Sequence, residues 1–154
     1  MSKITVSRAT SQDDIIAAKA LFQAYADSLE YSIEYQGFSD EMARFPEGYD
    51  LILVAKSGDT TVGTVGLKSH KGSKTLCEMK RMFVTPDARG LGAGRILADV
   101  LMTEAKAHGY KVMLLDTLKR WKAAHALYIS IGFEEAEPFE HFPQPDVIYL
   151  KRHL

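Results

Sequence analysis

One cysteine, Cys77, is all that the chain of 154 residues contains. A lone thiol excludes an intramolecular disulfide and a cysteine-built zinc cage, and it fits a reducing compartment. An excess of one charge is missing too: 19 Lys and Arg stand against 20 Asp and Glu, a formal net charge of −1. Nucleic-acid binding usually carries a basic surplus, so this balance disfavours a binder built on Lys68, Lys71, Lys74, Lys80 and Arg81. No apolar run is long enough to span a bilayer, and the opening MSKITVSRAT lacks a signal-peptide core. Repeats and low-complexity tracts are absent. What is present is ordinary: 46% hydrophobic and 25% charged residues. The expectation is one soluble domain over residues 1–154, cytoplasmic, with no membrane, nucleic-acid or metal partner.

The pattern along the chain is mixed. KITVSR (3–8) alternates as a short strand, and a helix follows with Thr10 or Ser11 as its cap and Asp13 and Asp14 in its first turn. Ile15, Ala18, Leu21, Phe22 and Tyr25 recur at helical spacing, and a second short helix fits Ser39 to Phe45, stopped by Pro46. Strands at 51–56 and 60–68 flank a turn on Gly58 and Asp59, and KTLCEMKRMFVT makes a third. A helix over about 93–108 shows Ile96, Leu97, Val100, Leu101 and Ala105 on one face and ends at Gly109. KVMLLDT is apolar enough for a strand buried on both faces. Residues 120–131 form another helix, and FEEAE and VIYLKR supply the last strands. This order predicts an α/β domain with a largely antiparallel front half and one strand–helix–strand crossover from about 76 to 116, hence a parallel pair.

Three glycines in five positions, Gly90, Gly92 and Gly94, open the third of these helices. Each costs roughly 0.5–1 kcal/mol relative to alanine inside regular structure. A helix N-terminus offers unpaired N–H groups and partial positive charge, and glycine lets a ligand approach that backbone closely, so the stretch reads as an anion site suited to pyrophosphate. A tight strand-to-helix turn alone accounts for Gly90 but not for all three. The P-loop pattern fails because Arg95 and Ile96 follow the last glycine, and the dinucleotide fingerprint fails because its third glycine belongs one place later.

RGLGAG (89–94) resembles the Arg/Gln-x-x-Gly-x-Gly/Ala motif of the GNAT superfamily of acetyl-coenzyme A-dependent N-acetyltransferases, and AHALYISIGF (124–133) is similar to that family's later Ala-x-x-Leu-Tyr-x-x-x-Gly-Phe stretch. The resemblance implies a GNAT fold: a twisted, mostly antiparallel mixed sheet of six to seven strands with about four helices, and a splayed parallel pair at the acetyl-CoA site. It implies that Arg89, Gly90, Leu91, Gly92, Ala93, Gly94 and Arg95 hold the pyrophosphate, and that the backbone of Met82, Phe83 and Val84 holds the pantetheine arm. Tyr128 stands at the family's position for the acid that protonates the departing thiolate, and a phenol near pKa 10 suits that task. Glu78 is the candidate base; strand alternation would turn it to the same side as Lys80 and Met82. A solvent-facing Glu78 paired with Lys80 is the alternative. Trp121 stands where many members carry Asn, either stacking on the coenzyme or covering the core.

Residues 26–50 carry seven acids against one arginine, interleaved with aromatics. Such a stretch favours a cationic amine by Coulomb attraction and cation–π contact, or is simply a solvated acidic loop. Tyr31 and Glu34 from this region, with His141 and Phe142 from the loop near PFEHFPQPD, are candidate acceptor contacts. The function expected is acetyl transfer from acetyl-CoA to a small cationic or amino-acid-like amine by a monomer or homodimer. A non-catalytic acetyl-CoA sensor is the alternative.

Overall fold

The computed structural model describes residues 3–154. In chain order it runs β1 (Ile4–Arg8), α1 (Gln12–Asp27), a 3-10 turn (Glu34–Gln36), α2 (Phe38–Arg44), β2 (Leu51–Ser57), β3 (Thr60–Ser69) and β4 (Leu76–Val84). A second 3-10 turn (Pro86–Ala88) leads to α3 (Ala93–Ala107), β5 (Val112–Leu118), α4 (Lys122–Ser130), β6 (Glu134–Glu135) and β7 (Val147–His153). The strands form one sheet in the order β1-β2-β3-β4-β5-β7-β6, and every neighbouring pair is antiparallel except β4–β5. The α/β class, the strand count and the single parallel crossover through α3 are those expected. The FEEAE strand shortens to the two residues of β6, and α2 begins one residue ahead of Ser39.

Local chemistry explains the element ends. Ser11 caps α1, its Oγ accepting from the Asp14 N–H at 3.1 Å, with Asp13 and Asp14 against the positive end of the helix dipole. Alternation along β2 sends Leu53 and Ala55 to one face of the sheet and Ile52 and Val54 to the other. The first face is covered by α3 and α4 through Leu97, Leu101, Ala105 and Tyr128, the second by α1 and α2 through Ala18, Phe22, Phe38 and Met42. β5 is buried on both sides, as its unbroken apolar run predicts: Met113 and Leu115 face α3, and Leu118 joins a smaller cluster with Phe142 and Tyr149.

Two irregularities in β4 shape the space beside it. Hydrogen bonding to β5 covers only Leu76↔Val112, Cys77↔Met113 and Glu78↔Leu114, after which the two parallel strands separate although both continue. On its other edge β4 pairs Lys80 with Gly66 but Phe83 with Thr64, so Arg81 and Met82 together oppose Val65. This is a β-bulge, and Arg81 takes it up with φ of 60°.

Candidate active site

The separation of β4 from β5 opens a cavity of about 530 Å³. Its walls include the strand ends Met79–Val84 and Leu115–Thr117, with Tyr25 from α1 and Trp121 and Tyr128 from around α4. The edge of β4 that a parallel neighbour would occupy beyond Glu78 faces this space instead, and Met82, Phe83 and Val84 all line it. The Val84 carbonyl accepts from Arg89 Nε at 3.1 Å, and the Arg89 guanidinium lies 5.8 Å over the Phe83 ring. Arg89 thus stands at the mouth of the cleft, between it and the glycine turn.

The glycine turn lies at the start of α3. Gly92 is the cap residue, with φ of 84° and no side-chain cap, and Gly90 has φ of 85°. A Cβ at either position would meet open space, so backbone conformation rather than crowding calls for glycine, and the surface above the N–H groups is unobstructed. Leu91 packs against the core and Ala93 is buried beneath the turn. Gly94 lies within the helix, where a Cβ would just touch Leu127 at 3.4 Å. Arg95 is engaged elsewhere than the expected phosphate contact: its Nη2 donates to Ser130 Oγ at 2.9 Å and ties α3 to α4. An uncapped helix end of 15 residues beside Arg89 fits a diphosphate, and the cleft running from it fits an extended arm.

Tyr128 reaches the cleft from the α3 side of the sheet. It is 7% exposed and packs edge-on against Phe133 at 5.9 Å. Burial, with Tyr25 and Asp116 nearby, pushes its phenol above the usual range, so the hydroxyl keeps its proton. Asp116, unnoticed in the sequence, lies opposite. It follows Leu115, which faces α3, and therefore points to the other face of the sheet, into the same opening. Burial raises its pKa, with Glu78 and Glu140 adding to the rise and Lys80 and Arg81 opposing it. Sequence offered one signal for Asp116, a single acid closing the apolar run VMLL.

Glu78 is neither solvent-facing nor on the side of Met82. It is 7% exposed, and its Oε2 lies 3.1 Å from His70 Nδ1, with Lys80 Nζ at 4.0 Å from Oε1. Alternation holds from Glu78 to Lys80, but the bulge at Arg81 resets it, so Met82 and Val84 join Cys77 and Met79 on the α3 side while Phe83 meets Tyr25 on the other. Glu78 opens onto a second cavity of about 440 Å³ that shares Lys80 and Arg81 with the first and also receives Lys68, Glu140 and His141.

Arg81 pins the junction. Its guanidinium donates to Glu41 at 2.9 Å and to Gln36 at 2.7 Å and lies over the rings of Tyr25 and Phe38. The left-handed conformation of a non-glycine residue costs about 1–2 kcal/mol, and these contacts hold it there.

Of the acceptor candidates, His141 lines this second cavity. Tyr31 and Phe142 form an aromatic cluster with Trp121, Tyr31 lying 6.5 Å from Trp121 and 6.0 Å from Phe142 between ring centres. Glu34 accepts from the Ser39 N–H and hydroxyl at 3.1 and 2.8 Å, capping α2. The acids of 26–50 are mostly spent internally: Asp27 on Gln23, Asp40 on Arg44, Glu41 on Arg81 and Tyr49, Asp50 on Tyr110. The general Coulomb case for a cationic acceptor loses its carriers.

A cleft between splayed parallel strands, with an uncapped glycine-rich helix end at its mouth, defines a coenzyme-dependent transferase domain. Known proteins agree: residues 18–133 match the model of the acetyltransferase (GNAT) family, and the chain belongs to that family. It is 33% identical to an uncharacterized N-acetyltransferase of Schizosaccharomyces pombe over 97% of this chain and 94% of that one. It is 28% identical to an IAA acetyltransferase of Azospirillum brasilense over the whole of both chains. Among solved structures, an acetyltransferase from Streptococcus agalactiae superposes with a TM-score of 0.78 over all of both chains at 19% identity.

Proposed function

We propose that this acyltransferase moves an acetyl group from acetyl-CoA to the primary amine of a small, amino-acid-like acceptor, by direct attack with both substrates bound. The observation that carries the reading is the loss of β4–β5 pairing beyond Glu78 and Leu114, with Tyr128 on one wall of the opening and Glu78 beyond Lys80 on the other side. When bound, acetyl-CoA supplies an activated thioester. The chain's part is to hold and to move protons. Amides of the glycine turn and Arg89 would hold the diphosphate, and the backbone of Met82–Val84 the arm. Glu78 would take a proton from the incoming ammonium before attack, and the second nitrogen proton, shed after the N–C bond forms, would pass through solvent to restore the Tyr128 hydroxyl. Tyr128 would give its proton to the sulfur as the C–S bond breaks. Two proton-transfer groups facing the cavities favour an enzyme over a coenzyme sensor. The reading takes residues 1–154 as one domain acting in the cytoplasm as monomer or homodimer.

The test mixes the protein with acetyl-CoA, a thiol reagent and a panel of amines. Amine-dependent thiol release is the expected result. Calorimetric coenzyme binding without release from any amine would favour the sensor, and no binding at all would remove the reading.

A further inference from the structure

The charges around the two cavities do not cancel pairwise. Arg81 is matched by Glu41, and Glu78 is held by His70. Four charged groups at the junction are left over, and one of them, Glu140, is a carboxylate on the exposed rim of the second cavity. Lys80 has a side chain only 17% exposed, yet its nearest carboxylate oxygen is 4.0 Å away, and its ammonium finds no hydrogen-bond acceptor among the described residues. Lys68, half-buried on the adjacent strand, lines the same cavity and has no ion-pair partner there either. The Asp116 carboxylate, lining the first cavity with Lys80, is likewise reached by charges but by no hydrogen-bond donor among the described residues. A largely buried charge without partners is costly, and such groups are normally paired or face something that pairs with them. Lys80 and Asp116 both line the first cavity with their polar atoms open to it, so a ligand that brings an anion and a cation together would meet a partner for each.

Building on the acetyltransferase reading, we propose that the acceptor is a free amino acid bound as its zwitterion, its carboxylate on Lys80 with Lys68 behind it and its ammonium on Asp116. Asp116 then anchors the nitrogen within the opening, and Glu78, whose second oxygen is fixed by His70, removes the proton that must leave before attack. A polyamine would put a further positive charge beside Lys80 and Lys68. A decarboxylated amine would leave both lysines unmatched.

The experiment measures thiol release from acetyl-CoA with each common L-amino acid, its carboxamide and its decarboxylated amine. At least one amino acid should exceed both of its analogues in kcat/KM by 10-fold or more. Lys80→Met should collapse that ratio towards one through a raised KM for the acid, and Lys80→Arg should keep it. Equal or better turnover of amides or simple amines would overturn the zwitterion while leaving acetyl transfer standing. So would a Lys80→Met variant that lowers acid and amide alike. Coenzyme binding without release from any amine would overturn acetyl transfer and this proposal together.

Discussion

Tyr128 meets the cleft with a hydroxyl that burial keeps protonated well above neutral pH, so in the proposed reaction the proton is in place when the thiolate leaves. Tyr128→Phe removes that proton and keeps the ring packed against Phe133. Its expected phenotype is coenzyme affinity within about two-fold of wild type by calorimetry and a fall in kcat of about 10²–10⁴-fold, the usual contribution of a positioned acid. Unchanged turnover would assign the proton to solvent. Glu78→Gln tests the opposite transfer. Less of the amine is neutral at low pH, so loss of the base should depress kcat/KM most there, and the two rate profiles should converge as pH rises. Parallel profiles would remove Glu78 from the reaction. Both residues were singled out in the sequence by the family resemblance, and the strand-face argument that put Glu78 on the side of Met82 failed at the bulge. Their settings were not legible there, because His70 reaches Glu78 from the end of β3 and Asp116 faces the opening only once two strands part. Neither approach leaves a trace in local spacing.

At the scale of elements, the start of α3 was the most readable part of the chain and the end of β4 the least. Glycine permits positive φ, and Gly90 and Gly92 adopt it while Gly94 lies within α3. The bulge in β4 is set instead by tertiary forces. Arg81 accepts a left-handed conformation because Glu41 and Gln36, brought by α2 and the turn before it, bind its guanidinium. Alternation was therefore right up to Lys80 and inverted after it. The turn yields a prediction that separates conformation from binding. Gly92→Ala meets no neighbour, so its destabilisation comes from φ alone, about 1–2 kcal/mol. At this chain length that is a drop in Tm of roughly 2–8 °C. Coenzyme A, by contrast, should lose most of the stabilisation it gives the wild type, as read by thermal shift at a fixed excess, because the new methyl stands in the open space at the turn where the diphosphate would bind. A variant that melts lower yet gains as much from coenzyme A would place the diphosphate elsewhere.

For the whole molecule, the sheet opens where β4–β5 pairing ends, and Asp116 lines that opening. Continuing the β4–β5 ladder would pair the main-chain groups that the separation leaves without a strand neighbour. Instead the Asp116 carboxylate sits in a poorly solvated opening where Lys80 and Arg81 only partly offset its burial, and Glu78 and Glu140 add to the cost. Its pKa lies above the ordinary 3.8, so in the window between 3.8 and the raised folded value the native chain binds more proton than the unfolded chain. Stability then falls as pH rises through that window, and the deficit persists above it. Asp116→Asn carries no charge to bury. The variant should melt higher than wild type at pH 7, with the gap narrowing as pH is lowered towards 4, while its KM for the acceptor rises. Calorimetric melts across that range, run beside acceptor kinetics, check both halves. A gap in Tm that stays constant with pH would mean that the Asp116 charge carries no folding penalty, and an unchanged KM would mean that the opening was not left there for this carboxylate to meet an amine.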